Sequence, residues 1–135
     1  MVAMVRRCLT LTVVMLVLAG CYDRFPGPDL QNTLDADVAL SITYTDGKIA
    51  SFTLPPGRSV LISRGDLPEG GIQWVVVQEG GKIIHRLNRD EVRLLVEKQR
   101  KHKTYAIWCI DREDIYLFEP NPPDTGGCTQ GKRIE

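Results

Sequence analysis

Two stretches of this sequence alternate apolar and polar residues, and turn residues interrupt each of them in the middle. Residues 38–45 read VALSITYT, with an apolar side chain at every second position from Val38 to Tyr44. A period of two indicates a half-buried strand. Asp46-Gly47 follows, which is a strong signal for a two-residue hairpin turn. The return strand is expected over residues 48–54, and Pro55-Pro56-Gly57 ends it.

The second stretch, IQWVVVQEGGKIIHRL, covers residues 72–87 and predicts another hairpin with its turn at Gly80-Gly81. Strict alternation divides its first strand between two faces, with Ile72, Trp74 and Val76 on one and Val75 and Val77 on the other. Further strands are expected over 59–63, 105–110 and 115–118.

The residues between the second hairpin and the last strands change to helical spacing. Val92, Leu95, Val96 and Gln99 recur three and four positions apart. Asn88 and Glu91 have the spacing of a capping box, and basic residues crowd the C-terminal end, where the helix dipole favours positive charge. One helix near residues 90–102 and about seven antiparallel strands predict an α+β, mostly β fold, arranged as a meander, a sandwich or a partly open barrel.

The first 21 residues, MVAMVRRCLTLTVVMLVLAGC, combine a positive start with an uncharged run. Arg6 and Arg7 precede the apolar stretch from Leu9 to Leu18, which matches a secretory signal peptide. A membrane-spanning helix needs about 20 apolar residues. The run between Cys8 and Cys21 is shorter, so a permanent transmembrane anchor is the weaker interpretation.

Leu18-Ala19-Gly20-Cys21 resembles the lipobox of bacterial lipoprotein precursors, in which an aliphatic residue and two small residues precede a cysteine. The resemblance implies cleavage between Gly20 and Cys21, and a diacylglycerol thioether with acyl chains such as palmitate on Cys21. A single acyl chain anchors only marginally, so two or three chains would be needed for stable membrane attachment. An ordinary signal peptide with a chance cysteine is the alternative.

The residue after Cys21 is Tyr22 rather than the Asp that tends to retain lipoproteins at the inner membrane. The resemblance therefore favours the periplasmic face of the outer membrane, or the cell surface if the bacterium has a single membrane. Residues 1–20 are expected to be cleaved and residues 21–36 to form a lipidated flexible tether. A β-rich domain over 37–120 and a C-terminal loop over 121–135 complete the chain.

Cleavage after Gly20 leaves 115 of the 135 residues, enough for one domain. The mature chain keeps 15 basic and 17 acidic residues, a net charge of about −2. This balance argues against nucleic-acid binding, which requires a strongly basic surface. Cys109 and Cys128 remain as a pair in an exported protein, and a disulfide that pins the C-terminal loop is expected. Two buried thiols or a metal pair are the alternatives.

The sequence offers little evidence for catalysis or cofactor binding. His85 and His102 are the only histidines, and no serine or cysteine lies in a nucleophile-elbow motif. Asp111, Glu113 and Asp114 lack the spacing of a calcium loop and are expected in a solvated turn. We therefore expect no catalytic residue, no metal site and no cofactor.

Two sets of residues are candidates for contact with a partner. The aromatic residues Trp74 and Trp108 could anchor an interface, although aromatic residues in alternating strands are more often part of the core. The basic residues Lys98, Arg100 and Lys101 could meet anionic lipid head groups, although such a helix face is often simply solvated.

These observations predict a lipid-anchored, non-enzymatic envelope protein that serves as an accessory or assembly component of an envelope complex. A lipoprotein inhibitor of a secreted enzyme and a small-ligand binder are the alternatives. The sequence predicts a membrane attachment through the lipid and a protein partner, and it leaves the identity of any small molecule open.

Overall fold

A computed structural model describes residues 27–62, 71–102, 105–122 and 127–135. Within these ranges the chain forms two β-sheets and one helix. The strands in chain order are β1 (Asp29–Asn32), β2 (Val38–Tyr44), β3 (Ile49–Leu54), β4 (Ser59–Leu61), β5 (Ile72–Glu79), β6 (Lys82–Leu87), β7 (Ile107–Ile110), β8 (Ile115–Pro120) and β9 (Gly131–Arg133). Helix α1 (Arg89–His102) lies between β6 and β7. The α+β, mostly β class is confirmed.

One sheet has the strand order β4-β1-β7-β8-β9 and the other has the order β3-β2-β5-β6. The pair β1 and β7 is parallel, and every other pair is antiparallel. Apolar side chains of both sheets form one buried cluster, so the sheets pack face to face as a sandwich. Members of this cluster include Leu30, Trp108 and Leu117 from the five-stranded sheet and Leu40, Ile42 and Val77 from the four-stranded sheet.

The residues that face inward on β2 are those that the alternation predicts, but β5 departs from strict alternation. The register shifts at its start, so that Thr43 pairs with Trp74 while Tyr44 pairs with Ile72. A bulge of this kind adds one residue to one strand and reverses the side-chain alternation across it. Ile72 consequently lies in the core, and the prediction that it shares a face with Trp74 is wrong.

The turn after β2 also differs from the prediction. The N–H of Gly47 donates to the carbonyl of Tyr44 (3.0 Å), and the N–H of Tyr44 donates to the carbonyl of Lys48 (2.8 Å). The loop therefore has three residues, ending at Gly47 with φ +87°. The Gly80-Gly81 turn is confirmed, with positive φ at both glycines.

Residues 21–36 contain regular structure where a flexible tether is expected. Strand β1 (Asp29–Asn32) lies between β4 and β7, inside the five-stranded sheet. Leu30 is 1% exposed and packs in the core. The periodicity of a four-residue strand is too short to recognise in a sequence, which explains why the expectation of a tether reaching residue 36 is wrong.

The C-terminal segment is likewise not only a loop. Cys109 on β7 and Cys128 form a disulfide with an S–S distance of 2.00 Å, which confirms the predicted pair. The segment continues into β9, which pairs with β8. Cys109, Ile107 and Phe118 form a second small apolar cluster. The disulfide therefore fixes the C-terminal segment against the five-stranded sheet.

Helix α1 contacts β5, β6 and β8, so it covers a side where the two sheets meet. Asn88 and Glu91 form the predicted capping box, with the side chain of each accepting the backbone N–H of the other. The buried side chain of Gln99 accepts the indole N–H of Trp108 (2.7 Å) and donates to the carbonyl of Ala106 (3.1 Å). These bonds tie the helix to β7.

Candidate binding surface on the four-stranded sheet

The side of the four-stranded sheet that points away from the core is called here the outer face. Strand register arranges its side chains in three rows across β3, β2, β5 and β6. The rows are Thr53, Ala39, Gln78 and Ile83; then Ser51, Ser41, Val76 and Arg86; then Ile49, Thr43 and Trp74. Arg86 is the only charged side chain in these rows of described residues.

The composition of the outer face is unusual for a strand face in contact with solvent. Antiparallel sheets with one free face normally alternate apolar residues inward with polar residues outward. Here the edge strand β3 and its neighbour β2 present small or hydroxyl-bearing side chains apart from Ile49, and exposed apolar residues flank them. Ile49 is 65% exposed and Ile83 is 43% exposed. The result is a flat, nearly uncharged surface.

Trp74 projects from the outer face next to the bulge of β5, with 39% of its surface exposed. Beside it lies a depression of about 390 Å³, lined by Thr45, Gln73, Trp74, Asn88, Arg89 and Asp90. Alternation along β5 explains this position, because Val75 and Val77 point into the core and Trp74 and Val76 therefore point outward. The indole thus forms a wall between the flat sheet face and the start of helix α1.

A second, shallow depression of about 280 Å³ lies at the centre of the outer face. Its floor is made by small side chains of β2 and β3 together with Val76 and Gln78. Small residues let a partner approach the backbone closely, and the depression is open along the sheet. The outer face therefore suits an extended contact better than the enclosure of a small molecule.

The two tryptophans have different environments. Trp74 is on the surface, whereas Trp108 is completely buried and hydrogen-bonded to Gln99. The hypothesis that Trp108 contacts a partner is therefore wrong: it lies on a central strand whose inner face meets the opposite sheet and the helix. The sequence allowed each tryptophan to lie either in the core or at an interface. It could not show which of the two is buried and which is exposed.

The basic residues Lys98, Arg100 and Lys101 lie exposed on the last turns of helix α1. Trp74 lies near the first residues of the same helix. About ten residues of helix, or roughly 15 Å, separate the two groups. The structure does not bring the predicted aromatic and basic contact residues together.

The histidines occupy separate places in the fold. The Nε2–H of His85 donates to the carbonyl of Asp111. Nε2 of His102 lies 3.1 Å from Oε2 of Glu119, without hydrogen-bond alignment. Across the four described ranges, no group of three or more His, Cys, Asp or Glu side chains is placed to hold a metal ion.

Arg112, in the turn after β7, binds two carboxylates that the sequence analysis did not connect. It donates to both carboxylate oxygens of Glu79 (3.2 and 2.9 Å) and to Asp35 (2.9 Å). The hydrogen bond from Arg112 holds the pKa of Asp35 below its usual value. Since Glu79 belongs to the four-stranded sheet and Arg112 follows a strand of the other, this group links the sheets at one end.

The outer-face residues other than Trp74 were missed, although the sequence contained a signal for them. The outward positions of residues 38–44 and 49–54 carry small, hydroxyl-bearing or apolar side chains, and none is charged.

Gly20 and Cys21, the predicted cleavage and lipidation residues, lie outside the described residues. No helix within the described ranges combines the length and apolar character that crossing a membrane requires.

No protein-family model, no curated protein and no solved structure matches this chain.

Proposed function

We propose that this chain is the precursor of a lipid-anchored, non-enzymatic envelope protein whose sandwich domain binds a protein partner. The partner would be another component of an envelope complex, bound through the outer face. Attachment to the membrane would come from acylation of Cys21, with the signal peptide cleaved between Gly20 and Cys21. The absence of Asp after Cys21 favours the periplasmic side of the outer membrane.

The observation that carries the proposal is the nearly uncharged outer face with an exposed tryptophan. The central parts of protein interfaces are depleted of charged residues and enriched in aromatic residues. A large apolar area that remains exposed on a soluble domain marks an interaction site more often than an isolated apolar residue does. On the outer face the exposed apolar side chains are Trp74, Ile49 and Ile83, which flank the small and hydroxyl-bearing residues of β2 and β3.

Trp74 is the expected anchor of the contact. Tryptophan is enriched among the residues that contribute most to binding energy, because it buries a large rigid surface. The flat strands beside it supply shape complementarity. The single charge of Arg86 at the edge of the surface is compatible with a polar rim.

The test is photocrosslinking in living cells, with the full chain expressed and processed. Replacing Ser51 with p-benzoylphenylalanine puts the crosslinker on the outer face. Replacing Ser59 gives a matched control, because Ser59 is also an exposed serine in a strand, but on the other sheet. We expect one dominant adduct from position 51 that is absent from position 59, and mass spectrometry identifies the partner.

The companion variant is Trp74→Ala. Truncation of an interface tryptophan typically costs 2 kcal/mol or more, hence a loss of binding of roughly 30-fold. We expect the adduct at position 51 to disappear in this variant while the domain stays folded. Equal adducts from positions 51 and 59, or an adduct unaffected by Trp74→Ala, would contradict the proposed surface. An adduct with a secreted enzyme instead of an envelope component would favour the inhibitor alternative.

A further inference from the structure

We propose that the end of the sandwich where the chain enters β1 lies against an anionic bilayer, with Leu61, Lys98, Arg100, Lys101 and Tyr105 as the contact residues. These five residues are called the tether-end patch. The inference rests on the proposed lipid anchor at Cys21. It adds an orientation for the domain and a second membrane contact, which the anchor alone does not provide.

The first observation is the short distance along the chain between the lipid and the folded domain. Gly27 and Pro28 are already buried, and the carbonyl of Pro28 accepts the N–H of Ile62 (2.9 Å). Gly27 lies six positions after Cys21, and even a fully extended chain spans at most about 22 Å over six such steps. A domain of about 100 residues has a radius of gyration of about 13 Å. The tether is therefore shorter than the domain is wide.

The second observation is that the tether-end patch surrounds the point of entry. Leu61 is the strand partner of Asp29 and is 57% exposed. The hydroxyl of Tyr105 donates to Oδ2 of Asp29 (2.7 Å), and this tyrosine is 46% exposed. Burial, followed by the bond to Asp29, raises the pKa of Tyr105 to about 12. An uncharged aromatic ring with a polar tip suits the head-group region of a bilayer.

The third observation is that strand direction brings the basic end of helix α1 to the same place. Because β1 and β7 are parallel, both begin at this end. Ile107 at the start of β7 pairs with Phe118 near the end of β8. His102, the last residue of the helix, lies beside Glu119 on β8. The exposed Lys98, Arg100 and Lys101 on the preceding turns therefore lie at the tether end.

The charges at this end favour an anionic surface. Two nearby carboxylates already have partners within the protein: Asp29 accepts Tyr105, and Glu119 lies near His102 and 3.6 Å from Nζ of Lys132. The turn after β2 and the start of helix α1 also lie toward this end. The exposed carboxylates there are Asp46, Asp90, Glu91 and Glu97, and the cations beside them are Lys48, Arg89 and Arg93, so that with Lys98, Arg100 and Lys101 the exposed cations outnumber the exposed carboxylates. Lysine and arginine side chains close to a membrane of anionic lipids are each attracted to it, within about a Debye length.

The opposite end of the sandwich has the reverse character. Six side-chain carboxylates lie in or beside the turns there: Asp35, Asp37, Glu79, Asp111, Glu113 and Asp114. Four cations accompany them: Arg58, Lys82, Arg112 and Arg133. Arg112 and Arg133 are bound to carboxylates of this group. An anionic bilayer would repel this end, so both ends favour the same orientation.

The test uses the acylated mature protein, isotope-labelled, in nanodiscs of phosphatidylethanolamine and phosphatidylglycerol that contain a gadolinium-chelating lipid. NMR relaxation of backbone amides then reports their distance from the head groups. We expect strong signal loss at the amides of Leu61 and Tyr105, and several-fold weaker loss at Asp35 and Arg112. Lys98→Gln with Lys101→Gln should reduce this difference, whereas Lys82→Gln with Arg58→Gln at the opposite end should leave it unchanged.

Two failures are distinguishable in this experiment. Intact mass first establishes whether Cys21 is acylated, and an unmodified Cys21 would overturn the anchor and this orientation together. If Cys21 is acylated, equal signal loss at both ends, or stronger loss at Asp35, would overturn the orientation alone. The proposed partner surface would be unaffected, because it is tested at Ser51 and Trp74.

Discussion

Asn32 is a buried polar side chain on which three parts of the chain converge. Its Nδ2 donates to the carbonyls of Ala36 (2.8 Å) and Leu54 (2.9 Å), and its Oδ1 accepts the N–H of Leu34 (2.9 Å). It is 0% exposed. A buried amide is tolerated because every polar group has a partner, and the same bonds fix the loop between the two sheets.

Removing this side chain should be costly. In Asn32→Ala, two carbonyls and one N–H lose their partner, and each unsatisfied buried group costs about 1–3 kcal/mol. We expect the free energy of unfolding, measured by urea denaturation, to fall by about 3 kcal/mol. The control is Gln130→Ala at an exposed position, where surface substitutions stay within about 0.5 kcal/mol. Similar losses in the two variants would contradict this role of Asn32.

At the scale of elements, the attachment of β9 depends on one glycine. A Cβ atom built on Gly131 would lie 2.0 Å from the carbonyl oxygen of Glu119, on the neighbouring strand, and the φ of Gly131 is +148°. Backbone atoms cannot move aside as a flexible side chain can. Glycine is therefore required for β8 and β9 to approach one another closely.

We expect Gly131→Ala to detach β9 while the sandwich stays folded. The N–H of Ile134 donates to the carbonyl of Leu117 (2.9 Å), so its hydrogen exchange reports on this pairing and should accelerate strongly. Gly57→Ala is the matched control, because it also has positive φ (+75°) but open space around the added atom. It should cost about 1 kcal/mol and leave the Ile134 amide protected. Unchanged protection in Gly131→Ala would refute the close approach.

At the scale of the whole molecule, the disulfide acts on the unfolded chain as well as on the sandwich. Cys109 and Cys128 are 19 residues apart in sequence, and the main apolar cluster between the sheets does not include them. The link restricts the unfolded ensemble and holds the C-terminal segment over the second cluster. The main core should therefore form without it.

We expect the double variant Cys109→Ala with Cys128→Ala to fold and to be less stable by about 3 kcal/mol. This is a large fraction of the 5–15 kcal/mol that is typical of such domains. Urea denaturation measures the loss, and reduction of the unsubstituted protein provides an independent control with the same expected direction. A variant as stable as the unsubstituted protein would show that the link contributes nothing to the folded domain.

The amino-acid sequence by itself determined the features that depend on neighbouring residues. The two hairpins, helix α1 with its capping box and the mostly β class followed from periodicity and turn chemistry, because these patterns act within a few residues. The pairing of Cys109 with Cys128 followed from counting the cysteines that remain when Cys8 and Cys21 are assigned to the predicted signal peptide and lipobox. The lipobox resemblance at Leu18 to Cys21 also belongs here, and it remains a prediction.

Tertiary structure decided what depends on residues far apart in the chain. Strand β1 exists because β4 and β7 bind it from both sides, and β9 exists because β8 and the disulfide hold it. The bulge that turns Ile72 inward, although alternation places it on the face of Trp74, is a matter of register between β2 and β5. Alternation shows that a strand has two faces, but only the packing of both sheets decides which aromatic residue is buried and which is exposed.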